Sequence, residues 1–296
     1  MGQDLHRQDA ETRRIFDRAS DVAGMDLAAL CFRGPFDALS RTVVLQPAIT
    51  AVNLACLAYL ESNGVHPWAT AGHSLGEYSA LACAGVVSVD DALRLAAVRG
   101  RCMDDAARKS PGTMAAIVGL DPDTVAAEMA RLMPRAEAGV ANVNAPDQVV
   151  VSGTPEAVER AGSHFEAMGA RVVPLPVSGA WHSEMMAPAE APLRDALSGT
   201  TISAPRIRLY LNVTGRPALG ADGISEALVA QLRAPVLWVD IVRGLIADGI
   251  TRFVEVGPGK VLRGTLRRIW PDASAYEIHT AGDLASLRRV VDTFAG

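Results

Sequence analysis

The sequence predicts an α/β protein: a parallel-sheet body of the hydrolase type interrupted by a smaller βαββαβ unit. Three observations lead there. A short extended run at residues 68–71 feeds the turn Gly72-His73-Ser74-Leu75-Gly76, and helical periodicity follows at 77–84. Between residues 113 and 173 the rhythm changes to short strands alternating with two helices. Strand patterns then resume at 207–213 and 252–256.

Taken in order, apolar residues Ile15, Phe16, Ala19 and Val22 recur at helical spacing among Arg and Asp, so 5–23 reads as one surface helix. Pro47 is expected to open an apolar helix reaching about residue 61, because proline suits a helix N-terminus. After the Gly72–Gly76 turn and its helix, Asp90 is expected to cap another that reaches about residue 108. Residues 113–118 are strand-like, and 121–132 form a helix with an acidic start. Strands at 140–143 and 148–152 flank the turn Asn144-Ala145-Pro146-Asp147. A helix at 154–168 and a strand at 171–173, ended by Pro174 and Pro176, complete the unit. The order βαββαβ is that of a ferredoxin-like subdomain. The division is therefore 1–109 with 177–296 as a discontinuous catalytic body, and 110–176 as the insertion.

Composition narrows the function. At roughly 150 residues per domain, 296 residues allow about two domains. With 28 basic and 33 acidic residues, the chain lacks the basic excess of a general nucleic-acid binder. Cys31, Cys56, Cys83 and Cys102 form no C-x-x-C pair, which argues against a zinc or redox site and fits reduced thiols. No metal is expected. The N-terminus is polar, and the apolar stretch 48–60 is too short to span a bilayer, so the expectation is a cytoplasmic protein without a membrane partner.

The turn Gly72-His73-Ser74-Leu75-Gly76 matches G-x-S-x-G between a strand and a helix, the setting of a nucleophile elbow. Flanking glycines relieve crowding at a sharp turn and leave the serine hydroxyl exposed. The helix N-terminus and the Leu75 amide would then face a developing oxyanion. A serine of ordinary pKa needs a base. Of His6, His66, His73, His164, His182 and His279, only His182 stands where the chain re-enters the body after the insertion, a natural cleft. His73 is expected to point away from Ser74 and to pack. The residues alone favour His182 as the base and leave a buried structural role for it open.

Gly72 to Leu81, reading Gly-His-Ser-Leu-Gly-Glu-Tyr-Ser-Ala-Leu, resembles the active-site segment of malonyl-CoA:acyl-carrier-protein transacylases and polyketide-synthase acyltransferase domains. Further segments agree in order and spacing. They are Leu45-Gln46-Pro47-Ala48, Val98-Arg99-Gly100, Gly112-Thr113-Met114-Ala115-Ala116, Asn142-Val143-Asn144-Ala145-Pro146, the run from Val177 to Ser183, Gln231-Leu232 with Pro235 to Trp238, and Glu255-Val256-Gly257-Pro258-Gly259-Lys260.

The resemblance implies that Ser74 carries the acyl ester, with His182 as base and then acid. It also implies that the backbone carbonyl of Gln231 orients the histidine, and that Leu75 supplies an oxyanion amide. Arg99 would clamp the free carboxylate of a malonyl group, since a guanidinium fork suits a carboxylate. On spacing alone Arg99 is one arginine among many, Lys109 and Lys260 being the only lysines. Trp181 stands where malonyl-selective relatives carry Phe, and would crowd substituents on the malonyl α-carbon. The acidic carrier protein would meet a basic face drawn from Arg171 and the cluster Arg263, Arg267 and Arg268, with Arg171 and Arg267 as the candidate contacts.

The implied partners are malonyl-CoA and acyl carrier protein; CoA enters as a thioester substrate, and no resident cofactor is called for. Relatives begin with a strand and a Gly-Gln-Gly-Ser-Gln loop that supplies a second oxyanion donor, and Met1-Gly2 aligns just beyond it. A late start or trimmed terminus is the expectation, with weak turnover if the 296 residues are complete. An acyl-thioester hydrolase and a catalytically weakened scaffold subunit remain the alternative functions.

Overall fold

A computed structural model describes residues 1–8 and 10–294. The body opens with four helices, α1 (Gln3–Gln8), α2 (Ala10–Ala23), α3 (Leu27–Arg33) and α4 (Phe36–Ser40), followed by the long α5 (Thr42–Ser62). The single helix expected over 5–23 is two. Thr12 Oγ1 donates to Leu5 O at 2.6 Å across seven residues, a reach that a straight helix rising 1.5 Å per residue forbids. The two helices fold against each other and place Leu5 and Phe16 in the core.

Pro47 does not open α5 but lies six residues in. The ring removes one hydrogen bond, to the Val43 carbonyl, and burial of Val44, Gln46 and their neighbours against α7 (Val89–Lys109) outweighs that loss. Gly100 of α7 allows the close approach, because a Cβ there would come within 3.0 Å of Thr42 O. At 21 residues and a mean hydropathy of 1.7, α5 is also longer than the apolar stretch predicted and meets the length of a bilayer span. Yet 67% of that window is packed inside the protein, so α5 is a core helix.

Strand β1 (Ala69–Ala71) leads to α6 (Gly76–Cys83), and α7 follows, capped by Ser88. Asp90, the expected cap, sits in the first turn instead: the Ser88 hydroxyl takes the Asp91 amide at 3.0 Å, and Asp90 and Asp91 complement the helix dipole.

The insertion comprises β2 (Thr113–Val118), α8 (Pro122–Leu132), β3 (Ala138–Ala145), β4 (Gln148–Gly153), α9 (Pro155–Ala167) and β5 (Arg171–Pro174). Its sheet has the order β3-β4-β2-β5 with every pair antiparallel, the ferredoxin-like arrangement. Asp121 and Thr154 cap the two helices, each with Pro at the first position. One face of the sheet packs Ile117, Val149 and Val151 against Val125, Met129 and Phe165 of those helices.

The chain then returns through a 3₁₀ turn (Glu184–Ala189) into α10 (Glu190–Ser198), β6 (Arg208–Tyr210), α11 (Ile224–Ala230), α12 (Trp238–Ala247), β7 (Arg252–Val256), α13 (Val261–Ile269), β8 (Glu277–Ala281) and α14 (Leu284–Phe294). Here β1 pairs in parallel with β6, and β7 with β8. The strands of the body thus pair in parallel, as the sequence predicts, in two separate pairs. Strand β6 is also shorter than the stretch 207–213 predicted. The β1–β6 pairing brings the ends of two neighbouring strands to one edge, with Ser74 three residues past the end of β1 and Asn212 two past the end of β6. In open α/β folds that edge is where sites are built. Main-chain bonds between Val236 and residues 141 and 143, an Arg268–Asp147 ion pair at 2.6 Å, and Arg135 near Glu184 at 3.8 Å bind the insertion to the body.

Candidate active site

At the elbow, Gly72 is required by contact: a Cβ there would lie 1.9 Å from the Gly76 carbonyl carbon. Gly76 has no such need, since a Cβ at that position meets nothing within 4 Å. The expected crowding relief therefore rests on one glycine. Ser74 adopts φ 50°, a left-handed conformation that costs a non-glycine residue of order 1–3 kcal/mol and persists only where surroundings enforce it. The enforcement is visible. Asn212 Oδ1 accepts the Ser74 N–H at 2.6 Å, and Asn212 Nδ2 donates to Gly72 O at 2.7 Å. The Gly76 and Glu77 amides turn back to His73 O and Ser74 O. Leu75 N–H, among the described residues, donates to no protein acceptor and remains available beside Oγ.

Ser74 Oγ lies 2.7 Å from His182 Nε2 and accepts from Arg99 Nη2 at 3.0 Å. Because guanidinium can only donate, the hydroxyl proton is left to point at His182. His182 Nδ1 sits 2.7 Å from Gln231 O, an acceptor only, so Nδ1 carries the ring proton and Nε2 presents its lone pair to the serine. Burial, helped by the nearby Arg99 charge, pushes the His182 pKa down to about 3, which keeps the imidazole neutral at ordinary pH with its Nε2 lone pair unprotonated. His182 shares the left-handed backbone, with φ 59°.

Arg99 is 1% exposed, projecting from the middle of α7, and Nη1 donates to Gln46 Oε1 at 2.8 Å. Its Nη2 also reaches Gln231 Oε1 at 2.9 Å, the Tyr78 ring lies 5.7 Å from its carbon, and Nε has no protein partner. Glu77, in the first turn of α6, takes the Asn212 N–H at 3.0 Å and the Gln231 side-chain amide, and burial raises its pKa to about 7.

The remaining sequence candidates occupy distinct places. Trp181 is half-buried at the seam, against both the main core and the outer face of the inserted sheet. His73 is half-buried and pairs through Nε2 with Asn144 Oδ1 at 2.7 Å, so it ties the elbow to the C-terminal end of β3 as well as packing on Trp238. Arg171 and Arg267 are exposed. They lie at one end of the insertion: Arg171 registers with Val118, the next residue Gly119 bonds Asp147 O, and Asp147 holds Arg268 beside Arg267. Arg268 is thus consumed in an internal ion pair and is not a free member of the basic cluster.

Sequence reasoning assigned no role to Glu77, Gln46 or Asn144, although each stands in a segment already singled out. It missed Asn212 altogether, and the only available signal was its place just past a strand end. It also missed the Arg233 fork onto Glu184 and Glu190, which holds together the segments bearing His182 and Gln231.

A strained serine at a strand-to-helix turn, a neutral histidine on its hydroxyl and a free amide beyond it define a serine-dependent acyl-transfer enzyme. Residues 1–293 match the profile of the acyl transferase domain, and the chain belongs to that family. It is 40% identical over 273 residues to the malonyl CoA-acyl carrier protein transacylase of Escherichia coli K12, covering 92% of this chain and 88% of that one. The crystal structure of the Clostridium perfringens transacylase superposes with a TM-score of 0.92 at 33% identity, covering 100% of this chain and 92% of the other. A malonyl-transacylase solved in complex with its type II polyketide-synthase acyl-carrier protein gives the same score at 37% identity, with coverages of 99% and 94%.

Proposed function

We propose that this acyltransferase moves a malonyl group from CoA to the phosphopantetheine thiol of an acyl carrier protein through a Ser74 ester. The observation that carries the reading is the Arg99 guanidinium 3.0 Å from Ser74 Oγ, inside a site that already holds a nucleophile and a base. A cation there suits an acyl group that itself ends in a carboxylate.

His182 Nε2 takes the Ser74 proton as Oγ attacks the thioester carbonyl. The Leu75 amide stabilises the tetrahedral oxyanion, and His182 returns the proton to the departing CoA sulfur. The carrier thiol then enters by the reverse sequence. Gln231 O keeps the ring in the required tautomer and stabilises the transient imidazolium without a buried acid. Arg99 exchanges its hydrogen bond to Oγ for the malonyl carboxylate, and Trp181 at the seam limits substituents on the α-carbon.

Arg171 and Arg267 meet the acidic carrier. The transfer uses side chains and amides of this chain alone, so no resident cofactor or metal is assigned, and among the described residues no cluster of His, Cys, Asp and Glu forms a metal site. Unpaired thiols suit the cytoplasm, and the names of the transacylase and polyketide relatives support a role in fatty-acid or polyketide biosynthesis. The ferredoxin-like unit at 110–176 serves as the second wall of the cleft.

Intact-mass measurement after malonyl-CoA addition tests the reading. A malonyl adduct on Ser74 that is discharged by holo carrier protein is the expected result. An adduct lost only to water marks a hydrolase, and no adduct marks a scaffold subunit.

A further inference from the structure

We infer that Glu77 is the positioning residue of this site: its two carboxylate oxygens hold Asn212 and Gln231, and through them the Ser74 backbone and the carbonyl that orients His182. The inference rests on the acyl-transfer reading above. Five functional connections hang on two amide residues. Asn212 brackets the elbow by accepting from Ser74 N and donating to Gly72 O, at 2.6 and 2.7 Å. Gln231 donates from Nε2 to Ser74 O at 3.0 Å, accepts from Arg99 at Oε1, and offers its backbone oxygen to His182 Nδ1. Beside the Ser74 backbone itself, the Glu77 side chain is joined to both: Oε1 takes the Asn212 N–H, and Oε2 takes Gln231 Nε2.

Donor and acceptor counting shows why the residue must be an acid. Both partners present N–H groups, so two acceptors are needed, and only an ionised carboxylate supplies two without adding a donor. A glutamine at 77 would accept one N–H and push its own amide hydrogens against the other. Burying the charge at 1% exposure is costly, and Arg99 in the same pocket together with the first-turn position in α6 offsets it. Such an arrangement costs stability and returns geometry. The left-handed Ser74, which local sequence would not choose, is the conformation it holds.

The test uses Glu77→Gln and the exchanged pair Glu77→Gln with Gln231→Glu. In the pair the 77–231 hydrogen bond is kept with donor and acceptor swapped, Asn212 N–H still finds an oxygen and Arg99 still finds an acceptor at 231, but Ser74 O loses its Gln231 Nε2 donor, so recovery is partial. The readouts are the single-turnover rate of CoA release from malonyl-CoA per folded molecule, the thermal midpoint, and the low-field proton resonance of His182 Nδ1–H. Misplacing the nucleophile and base slows acylation by about 10²-fold in E77Q. The exchanged pair recovers about tenfold of that loss, the size of a typical coupling between touching residues. The resonance weakens or shifts in E77Q and returns in the pair.

A native rate in E77Q overturns the inference, and so does a slow E77Q with no recovery in a folded pair. Should E77Q not fold, Glu77→Asp keeps both acceptors and the charge but withdraws them by one methylene. It is expected to slow acylation by about tenfold, and a native rate in it overturns the inference equally. If the unaltered protein releases no CoA and forms no Ser74 adduct, the acyl-transfer reading fails instead.

Discussion

The two halves of the cleft are built on opposite plans. The insertion has an apolar core, Ile117, Val125, Met129, Val149 and Phe165 among its members, beneath a four-stranded antiparallel sheet. The body wraps its hydrophobic core around a polar one, in which Gln46, Glu77, Arg99, His182, Asn212 and Gln231 are buried and bonded to each other. An apolar core gains from every buried methylene, whereas a polar network breaks even at best and is kept because it holds a geometry. The difference teaches where stability is made and where it is spent.

The largest break comes from removing the nucleophile. Ser74→Ala should abolish adduct formation and lower turnover by about 10⁴–10⁶-fold, read as CoA release, with the fold intact by circular dichroism. Arg99→Ala is next. Loss of a buried charged hydrogen bond to substrate of about 2–5 kcal/mol predicts a fall in malonyl transfer of roughly 10²-fold or more, while acetyl transfer is tolerated. Equal falls for malonyl and acetyl would remove the clamp role.

The insertion should answer in stability instead of chemistry. Phe165→Ala is expected to cost about 3–5 kcal/mol in denaturant unfolding and to leave the rate per folded molecule unchanged. A drop in the specific rate would mean that the apolar half also sets the site's geometry.

pH separates the halves more gently. The His182 pKa falls from 6.5 to about 3 on folding, so its stabilisation is present above 6.5 and lost as pH drops toward 3. Glu77 runs the other way: raised from 4.5 to about 7, it favours the folded state below 4.5, and that contribution is lost as pH rises through 7. The two oppose one another between pH 4.5 and 6.5. Below that window only the His182 effect remains, so the thermal midpoint should fall most steeply under pH 4.5. His182→Ala should flatten that limb. Acylation should fall as Glu77 protonates near pH 7, with the histidine's own limb near 3.

The smallest effect is at the rim. Reversing Arg171 or Arg267 to Glu should raise KM for carrier protein several-fold, by about 0.5–1 kcal/mol each, and leave CoA release untouched. Unchanged carrier kinetics would place docking elsewhere.

Much of this was legible in the chain itself. Alternating and helical patterns and the acidic start of the helix at 121–132 specify the insertion locally, because its core is apolar and its periodicities are clean. Ser74 was legible as an elbow for the same reason: a strand, a required Gly72 and a helix are neighbours in sequence. The folding of α1 back on α2, the interior Pro47 and the Ser88 cap were not, since packing of α2, α5 and α7 decided them against local preference.

Only the tertiary structure decided the rest of the site. By spacing alone Arg99 reads as any surface arginine; the family resemblance singles it out, and the packing of α7 is what buries it against Ser74. Gln231 O, Asn212 and Glu77 became an orienting network only when residues 77, 182, 212 and 231 met at one sheet edge. Sequence determines which groups can donate, accept or carry charge. Folding chooses which of them meet, because hydrogen bonds and desolvation act over a few ångströms of space, and spacing along the chain does not encode that distance.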